Sequence, residues 1–321
     1  MTQFGYTLFS ELNGPRSLVA QAMAAEEAGF DLAVMSDHFH PWLSSHTDSP
    51  FAWSVFGAVA ERTERMELMS YVTCPFLRYH PAIIAQAAAT IQLLSEGRFT
   101  LGLGAGERLN EHVVGRGWPS VDVRHEMLVE SIEAIRSLFS GEMVTYRGTH
   151  ITVEDARLFS LPQAPPRIAV AGSGSKSVRL AAEQGDAFIG VDPDAELVDE
   201  YRDLAGRDAR AIGQVVLSYD ADEGKARDYA LRSAFGVAGW KVMAELPNVA
   251  NFDAAVQTVR PEDVEESAGI GPDPDDHIQA IMEYVAAGYD DVAVVHVGDD
   301  QKGFFRFWRD ELAPRLQKTT G

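Results

Sequence analysis

The chain contains two short polar stretches, Ser36-Asp37-His38-Phe39-His40-Pro41-Trp42 and Gly104-Ala105-Gly106-Glu107-Arg108-Leu109-Asn110. Each one follows directly on an apolar run that is typical of a buried strand, the first run ending at Met35 and the second at Leu103. In a parallel α/β barrel the functional side chains stand at the carboxyl ends of the strands, on one rim. The sequence therefore predicts a pocket that a His-Asp pair and a glutamate face from two different strand ends.

Apolar runs of strand length alternate with helix-period segments along the chain. The predicted strands are residues 4–10, 31–36, 66–74, 99–104, 167–171, 187–191, 211–219 and 291–297. The predicted helices are residues 17–28, 52–63, 81–95, 121–139, 175–184, 275–287 and 304–316, and residues 144–159 predict a short hairpin or an irregular insertion. Eight strands separated by helices favour a (β/α)8 TIM barrel. A doubly wound open sheet is the alternative, but no Gly-x-Gly-x-x-Gly motif follows the first strand.

We expect one domain over residues 1–321, because 46% of the residues are hydrophobic and the chain is long enough for a full core. Residues 222–271 have no clear strand pattern and predict a helical insertion between the seventh and eighth strands. In a barrel, an insertion at that place lies over the carboxyl-end rim.

The composition limits the partners and the cellular location. A formal net charge of −21 argues against nucleic acid and anionic membranes as partners, since both attract a positive surface. The sequence has no apolar run of membrane-spanning length and no signal-peptide pattern at its start. Its single cysteine, Cys74, excludes an intrachain disulfide. We therefore expect a cytoplasmic protein that acts on a small molecule.

The segment Asp37-His38-x-His40 allows two functional interpretations. His-x-His at a strand end is a metal motif in barrel hydrolases, but such a site needs further ligands at later strand ends. Here only His296, on the eighth strand, supplies one. We expect no metal, and we expect His38 to lie with Trp42 at a polar and aromatic pocket edge.

The segment Gly102-x-Gly104-x-Gly106-Glu107 differs from a dinucleotide-binding loop, because Arg108 to Glu111 follow where the third glycine should be. Glycines at a strand end let a flat ring approach the backbone closely, which would put Glu107 beside that ring.

A second glycine-rich segment, Gly172-Ser173-Gly174-Ser175-Lys176-Ser177, follows the fifth strand and opens a helix. Free backbone N–H groups and the helix dipole suit a phosphate at such a place, although the P-loop spacing is absent.

Together these segments resemble the luciferase-like monooxygenase superfamily, and within it the coenzyme F420-dependent branch around F420-dependent glucose-6-phosphate dehydrogenase. Further matching stretches are Phe76-x-Arg78-Tyr79-x-Pro81-Ala82-x-Ile84-Ala85-Gln86, Gly185-Asp186-x-Phe188-Ile189 and Leu312-Ala313-Pro314-Arg315. The matches run in order along nearly the whole chain. The resemblance implies a luciferase-like barrel that holds a deazaflavin, coenzyme F420, with FMN as the alternative cofactor.

The resemblance also implies roles for individual residues. Asp37 would hydrogen-bond the ring, and Tyr71-Val72 matches a non-proline cis peptide behind the ring. Cys74, Ala105, Gly106 and Asn110 match further cofactor contacts, and Gly172, Ser173, Lys176 and Ser177 match the phosphate loop.

Hydride transfer is the implied reaction. In the oxidation direction His38 takes the hydroxyl proton of the substrate, a hydride passes to C5 of the deazaflavin, and Glu107 delivers a proton toward N1. Trp42 shapes the pocket and limits water. A histidine with a pKa near neutral suits the role of the base.

The chain departs from the sugar-phosphate branch where those enzymes bind the substrate phosphate with lysines and an arginine. One of the family's phosphate-binding lysines aligns with Val191-Asp192-Pro193-Asp194, and its arginine aligns near Ser267, so neither basic residue is present here. The remaining phosphate-binding lysine would be Lys241. Acidic groups would repel a sugar phosphate. We therefore expect an uncharged alcohol or carbonyl substrate and poor use of glucose 6-phosphate.

Three other functions stay open from the sequence: an FMN-dependent monooxygenase of the same fold, a metal-dependent barrel hydrolase and a non-catalytic cofactor-binding protein. The resemblance further implies a homodimer.

Overall fold

The computed structural model describes residues 2–234, 236, 239–265 and 268–320. Its strands are β1 (Gln3–Thr7), β2 (Leu32–Met35), β3 (Glu67–Ser70), β4 (Phe99–Leu103), β5 (Val144–Arg147), β6 (Thr152–Ala156), β7 (Arg167–Ala171), β8 (Ala187–Ile189), β9 (Ala211–Ser218), β10 (Ala268–Ile270) and β11 (Asp291–His296).

The helices begin and end as follows: α1 (Pro15–Glu27), α2 (Ala52–Ala60), α3 (Pro81–Leu94), α4 (Arg108–Glu111), α5 (Val121–Leu138), α6 (Ser175–Gln184), α7 (Ala195–Ala205), α8 (Glu223–Arg232), α9 (Trp240–Met243), α10 (Val249–Val256), α11 (Pro261–Glu265), α12 (Pro274–Ala286), α13 (Gln301–Phe307) and α14 (Ala313–Thr320). One π-helical turn, Trp308–Leu312, joins α13 to α14. Among the described helices none is both long and apolar enough to cross a membrane.

Eight of the strands form a closed parallel barrel in the order β1, β2, β3, β4, β7, β8, β9 and β11. The ring closes where β11 pairs with β1, with Gln3 opposite Asp291. The predicted (β/α)8 barrel is therefore confirmed. Because all eight strands run in the same direction, their carboxyl ends and the amino termini of the following helices share one rim.

Buried apolar side chains line both faces of the barrel sheet, which explains why the strands have near-continuous apolar sequences. Strands β3 and β4 approach each other very closely at Gly102, where a Cβ atom would collide with the carbonyl oxygen of Ser70. On the outside, Trp308 stacks on Phe30 with 4.1 Å between ring centroids and attaches the C-terminal helices to the barrel.

The structure corrects several predicted element bounds, including the end of the third strand and the interior of the insertion. The third strand was expected to reach Cys74, but β3 ends at Ser70, and beyond it only Thr73 forms a bridge, to Leu103. Residues 222–271 are not purely helical, because β10 pairs in parallel with β9 and extends the sheet beyond the barrel. A three-residue strand is too short to show an alternating pattern. The predicted hairpin is present as the antiparallel pair β5 and β6.

Candidate active site

A buried histidine lies between two carboxylates at the rim of the barrel. His38 Nδ1 is 2.6 Å from Glu11 Oε1, and His38 Nε2 is 2.9 Å from Glu107 Oε1. The three residues follow β2, β1 and β4, so the barrel brings together side chains that are far apart in sequence. Both ring nitrogens of His38 are thus engaged, and His40 Nδ1 contacts the carbonyl oxygen of Leu109 at 3.1 Å. The two histidines do not converge as metal ligands would.

The two acids decide the charge of His38. Burial disfavours a charged imidazole, but the carboxylates of Glu107 and Glu11 outweigh burial and raise the pKa of His38 to about 10. Burial likewise opposes ionisation of Glu11, yet the adjacent His38 lowers the pKa of that carboxyl group. The expectation of a near-neutral histidine was wrong. In the folded protein at neutral pH the site holds an imidazolium between two acids.

Asp37 is an anchor of the strand end. Its Oδ2 accepts hydrogen bonds from Trp53 Nε1 at 3.2 Å and from Thr73 Oγ1 at 2.9 Å. Its Oδ1 accepts from Arg78 Nη2 at 3.1 Å and from Tyr79 OH at 2.9 Å. These four donors fill the acceptor positions of a buried carboxylate. In this structure protein donors occupy those positions, and the contact of Asp37 with a bound ring stays a prediction.

Trp42 forms one wall beside His38. The two rings meet edge to face, with 4.6 Å between their centroids. Trp42 also packs against Phe252 of α10 and Trp240 of α9, at 5.2 Å and 6.4 Å. The insertion thus contributes aromatic side chains to the cluster around His38. The buried members of that cluster are Phe9, Trp42, Leu43, Leu109, Met243, Phe252, Val295 and Val297.

The ends of β3 and β4 form a second wall. The Tyr71-Val72 peptide bond is cis, as the resemblance implied, and the Tyr71 hydroxyl donates to the carbonyl oxygen of Gly190 at 3.0 Å. Gly106 has a φ of 76°, and a Cβ atom there would lie 2.8 Å from the Sγ atom of buried Cys74. Val72, Ala105 and Gly106 are partly exposed, so this wall is accessible to a flat group.

The predicted phosphate loop opens α6. Gly174, at the helix N-cap, has no side chain to cap the first turn, whose N–H groups are therefore available to an anion. Ser177 Oγ accepts from the Ser173 amide at 3.1 Å and donates to the Gly174 carbonyl oxygen at 2.9 Å. Ser177 thus shapes the loop. Lys176 is exposed and pairs with Asp122 at 2.9 Å. Gly172 packs closely on Ser177, with no room for a Cβ atom.

The loop after β8 is acidic and firmly held. Tyr284 OH donates to the Val191 carbonyl oxygen at 2.8 Å, and Tyr289 OH donates to the Asp192 carbonyl oxygen at 2.9 Å. Burial and the charge of Asp194 raise the pKa of Asp192. Of the two other positions considered for phosphate binding, Lys241 is exposed on α9 and Ser267 lies outside the described residues.

Glu11 is the site residue that the sequence analysis missed. The apolar run 4–10 was taken as one strand, whereas β1 ends at Thr7 and residues 8–11 already belong to the rim. The signal that could have identified it is an acidic side chain just beyond a strand, at the same rim as His38 and Glu107.

Comparison with known proteins identifies the family of the chain. The family model for luciferase-like monooxygenases matches residues 2–291. The chain belongs to this family. Among its relatives, the F420-dependent glucose-6-phosphate dehydrogenases of Microbacterium testaceum and Segniliparus rotundus are 35% and 36% identical to it, and each alignment covers 98% of both chains. The family resemblance inferred from the sequence is confirmed.

Two solved structures have folds similar to that of this chain. An F420-dependent secondary alcohol dehydrogenase, in complex with an F420-acetone adduct, matches with a TM-score of 0.90 at 28% identity, covering 97% of this chain and 98% of the other. The F420-dependent tetrahydromethanopterin reductase of Methanopyrus kandleri matches with a TM-score of 0.79 at 20% identity, over 98% and 99% of the two chains, and supports the fold alone.

Proposed function

We propose that this protein is a coenzyme F420-dependent oxidoreductase that transfers a hydride between the deazaflavin C5 and an uncharged alcohol or carbonyl compound. The observation that carries the proposal is the buried triad of Glu11, His38 and Glu107 beside Trp42, at the rim of a luciferase-like barrel. The relatives, whose names include F420-dependent sugar-phosphate and alcohol dehydrogenases, support the same cofactor.

The residues present fit a deazaflavin. The partly exposed backbone wall at Tyr71-Val72 and Ala105-Gly106, with Cys74 behind it, suits a flat ring. The start of α6, with Gly172, Ser173, Lys176 and Ser177, suits a phosphate. When bound, the deazaflavin would supply the carbon that accepts or gives up the hydride.

The proton chemistry follows from the His38–Glu107 pair. The Nε2 to Oε1 distance of 2.9 Å allows one proton to lie on either partner. With the proton on Glu107, His38 is neutral, and its Nε2 can take the hydroxyl proton of an alcohol that replaces Glu107 at this nitrogen. With the proton on His38, the imidazolium can give it to a carbonyl oxygen. The raised pKa of His38 means that the resting site is already protonated for carbonyl reduction.

The walls of the site favour an uncharged substrate. Trp42 beside His38 packs with Trp240 and Phe252 in an apolar cluster. The loop after β8 adds Asp192 and Asp194, which would repel a sugar phosphate. We therefore expect a secondary alcohol or ketone to be a better substrate than glucose 6-phosphate.

The first test is a titration of the purified protein with F420 and, separately, with FMN, followed by cofactor fluorescence. Tight binding of F420 with weak binding of FMN would support the proposal and lead to screens of alcohols and carbonyl compounds. Preference for FMN, with oxygen uptake on turnover, would overturn it in favour of a monooxygenase.

We further propose a homodimer in the cytoplasm. Phe51, Ile83 and Leu94, in or next to the packed helices α2 and α3, are large apolar side chains with exposed fractions of 54%, 56% and 37%. Such a face is typical of a subunit interface. Light scattering coupled to size-exclusion chromatography would test this, because a monomeric mass, or a dimer that survives Ile83→Glu, contradicts the assignment of this face.

A further inference from the structure

Asn110 connects the two strand ends that carry His38 and Glu107. It is fully buried in α4, three residues after Glu107. Its Oδ1 accepts hydrogen bonds from the backbone amides of Phe39 and His40, each at 2.8 Å. Its Nδ2 donates to Glu107 Oε1 at 2.9 Å. One side chain therefore joins the turn just after the histidine to the carboxylate that pairs with that histidine.

The direction of these hydrogen bonds is fixed by chemistry. Backbone amides can only donate, so the two amides of the turn require the oxygen of Asn110. The nitrogen must then face Glu107, where it can only donate. Glu107 Oε1 thus accepts from Asn110 Nδ2 and lies 2.9 Å from His38 Nε2, so it contacts two protein groups. Oε2 is the atom of Glu107 left to exchange a proton with a ligand.

We propose that Asn110 is a positioning residue that holds Glu107 in register with His38 and reserves Glu107 Oε2 for proton exchange with the bound ligand. The inference rests on the proposed acid/base roles of His38 and Glu107. It gives the Asn110 side chain a different task from the cofactor contact that the family resemblance implied, because three of its four hydrogen-bonding positions are filled by protein groups.

The surrounding charges explain why a neutral donor is needed here. His38 faces Glu11 on one side and Glu107 on the other. Behind them lies Glu111, whose pKa is raised to about 7, chiefly by burial, and which lies 3.6 Å from the guanidinium of Arg78. Arg78 also pairs with buried Asp37, so four buried acids share two cations. The N–H of Asn110 donates to Glu107 without adding another charge.

The test is Asn110→Asp, which keeps both acceptor positions for the turn but places a carboxylate oxygen against Glu107 Oε1. Because two adjacent carboxylates raise the pKa of one of them, we expect the acidic limb of the kcat profile to move up by about one pH unit or more. Asn248→Asp is the matched control, since Asn248 is an exposed helix N-cap to which Asp is equally suited.

A second variant covers the case in which Asn110→Asp does not fold. Asn110→Ser removes the donor to Glu107, and we expect kcat to fall by about 10-fold to 100-fold while KM and cofactor affinity change little. Weaker cofactor binding with an unchanged pH profile would overturn the proposal and support a direct cofactor contact. A histidine NMR titration of the ligand-free protein tests the positioning role of Asn110 independently of the proposed function. Asn110→Asp or Asn110→Ser should shift the His38 signal whether or not the protein turns over any substrate. An unshifted signal in the folded variants would also overturn the positioning role.

Discussion

Glu11 supplies the carboxylate on the Nδ1 side of His38, and together with Glu107 it raises the pKa of the imidazole. A pKa raised from 6.5 to about 10 means that the ion pair stabilises the fold fully below pH 6.5. That contribution is lost as the pH rises through the folded pKa. Glu11 has a lowered pKa, so its own contribution is lost only as the pH falls below the ordinary range of a carboxyl group.

We predict that the free energy of unfolding declines between pH 7 and pH 10, and that Glu11→Gln makes this decline smaller. The substitution removes one of the two carboxylates that hold the proton on His38, so less stability depends on that proton. For one proton the slope cannot exceed about 1.4 kcal/mol per pH unit. Urea unfolding at several pH values measures it, with exposed Glu61→Gln as the control. An equal decline in wild type and Glu11→Gln would contradict this account.

The residues of the site were predictable from sequence to different degrees. His38 and Glu107 follow recognisable strand patterns, so the barrel rule identifies them. Glu11 does not, because the apolar run before it continues past the end of β1. The partners of Asp37 come from α2 and from the segment after β3, and no local pattern places those elements around one carboxylate.

At the level of elements, a charged contact ties the insertion to the rest of the rim. Glu245, after α9, accepts from Arg124 Nη2 at 2.9 Å and from Trp118 Nε1 at 2.8 Å. The Arg124 guanidinium also lies 4.0 Å above the Trp118 ring and is buried. Asp253 of α10 accepts from the Ser44 amide at 3.0 Å, which adds a second tie close to Trp42.

We predict that Glu245→Ala loosens the segment over His38 while the barrel stays intact. Loss of the carboxylate leaves buried Arg124 without its charged partner, a change of about 1–3 kcal/mol. Hydrogen exchange should therefore quicken in residues 240–256 and stay the same in the barrel strands. Glu223→Ala is the control, since it breaks an exposed Glu–Arg pair of the same insertion. Exchange that quickens equally in both variants would refute the role of the Glu245 contact.

The elements themselves were largely predictable, because buried parallel strands and amphipathic helices have distinct apolar patterns. β7 and α6 have the predicted bounds. The end of β3 was misjudged because Tyr71, Val72 and Thr73 have strand propensity, whereas the chain turns there through the cis peptide. β10 depends on its pairing with β9, which a local pattern cannot show.

At the scale of the whole molecule, overall similarity and the local charge of the rim favour different substrates. Sequence relatives over 98% of the chain are named as glucose-6-phosphate dehydrogenases. The loop after β8 nevertheless carries Asp192 and Asp194 in a protein with 48 acidic and 27 basic residues. A phosphate dianion brought beside these carboxylates would meet repulsion from both the loop and the net charge.

We predict that kcat/KM for a small secondary alcohol exceeds that for glucose 6-phosphate by about 100-fold or more, as expected when a charged group meets a site without its counter-charge. Asp192→Lys should narrow this gap by raising kcat/KM for glucose 6-phosphate, because it replaces a repelling charge with an attracting one.

Asp194 is less suitable for this substitution, since its side chain caps α7 by accepting a hydrogen bond from the Leu197 amide. Asp203→Lys makes the same change of net charge on the exposed face of α7, so its effect measures long-range attraction alone. If Asp203→Lys improves the use of glucose 6-phosphate as much as Asp192→Lys does, the loop after β8 does not select the substrate. If the wild-type protein already prefers glucose 6-phosphate, the aromatic surroundings of His38 must bind a sugar ring and the phosphate must find its cation elsewhere on the rim.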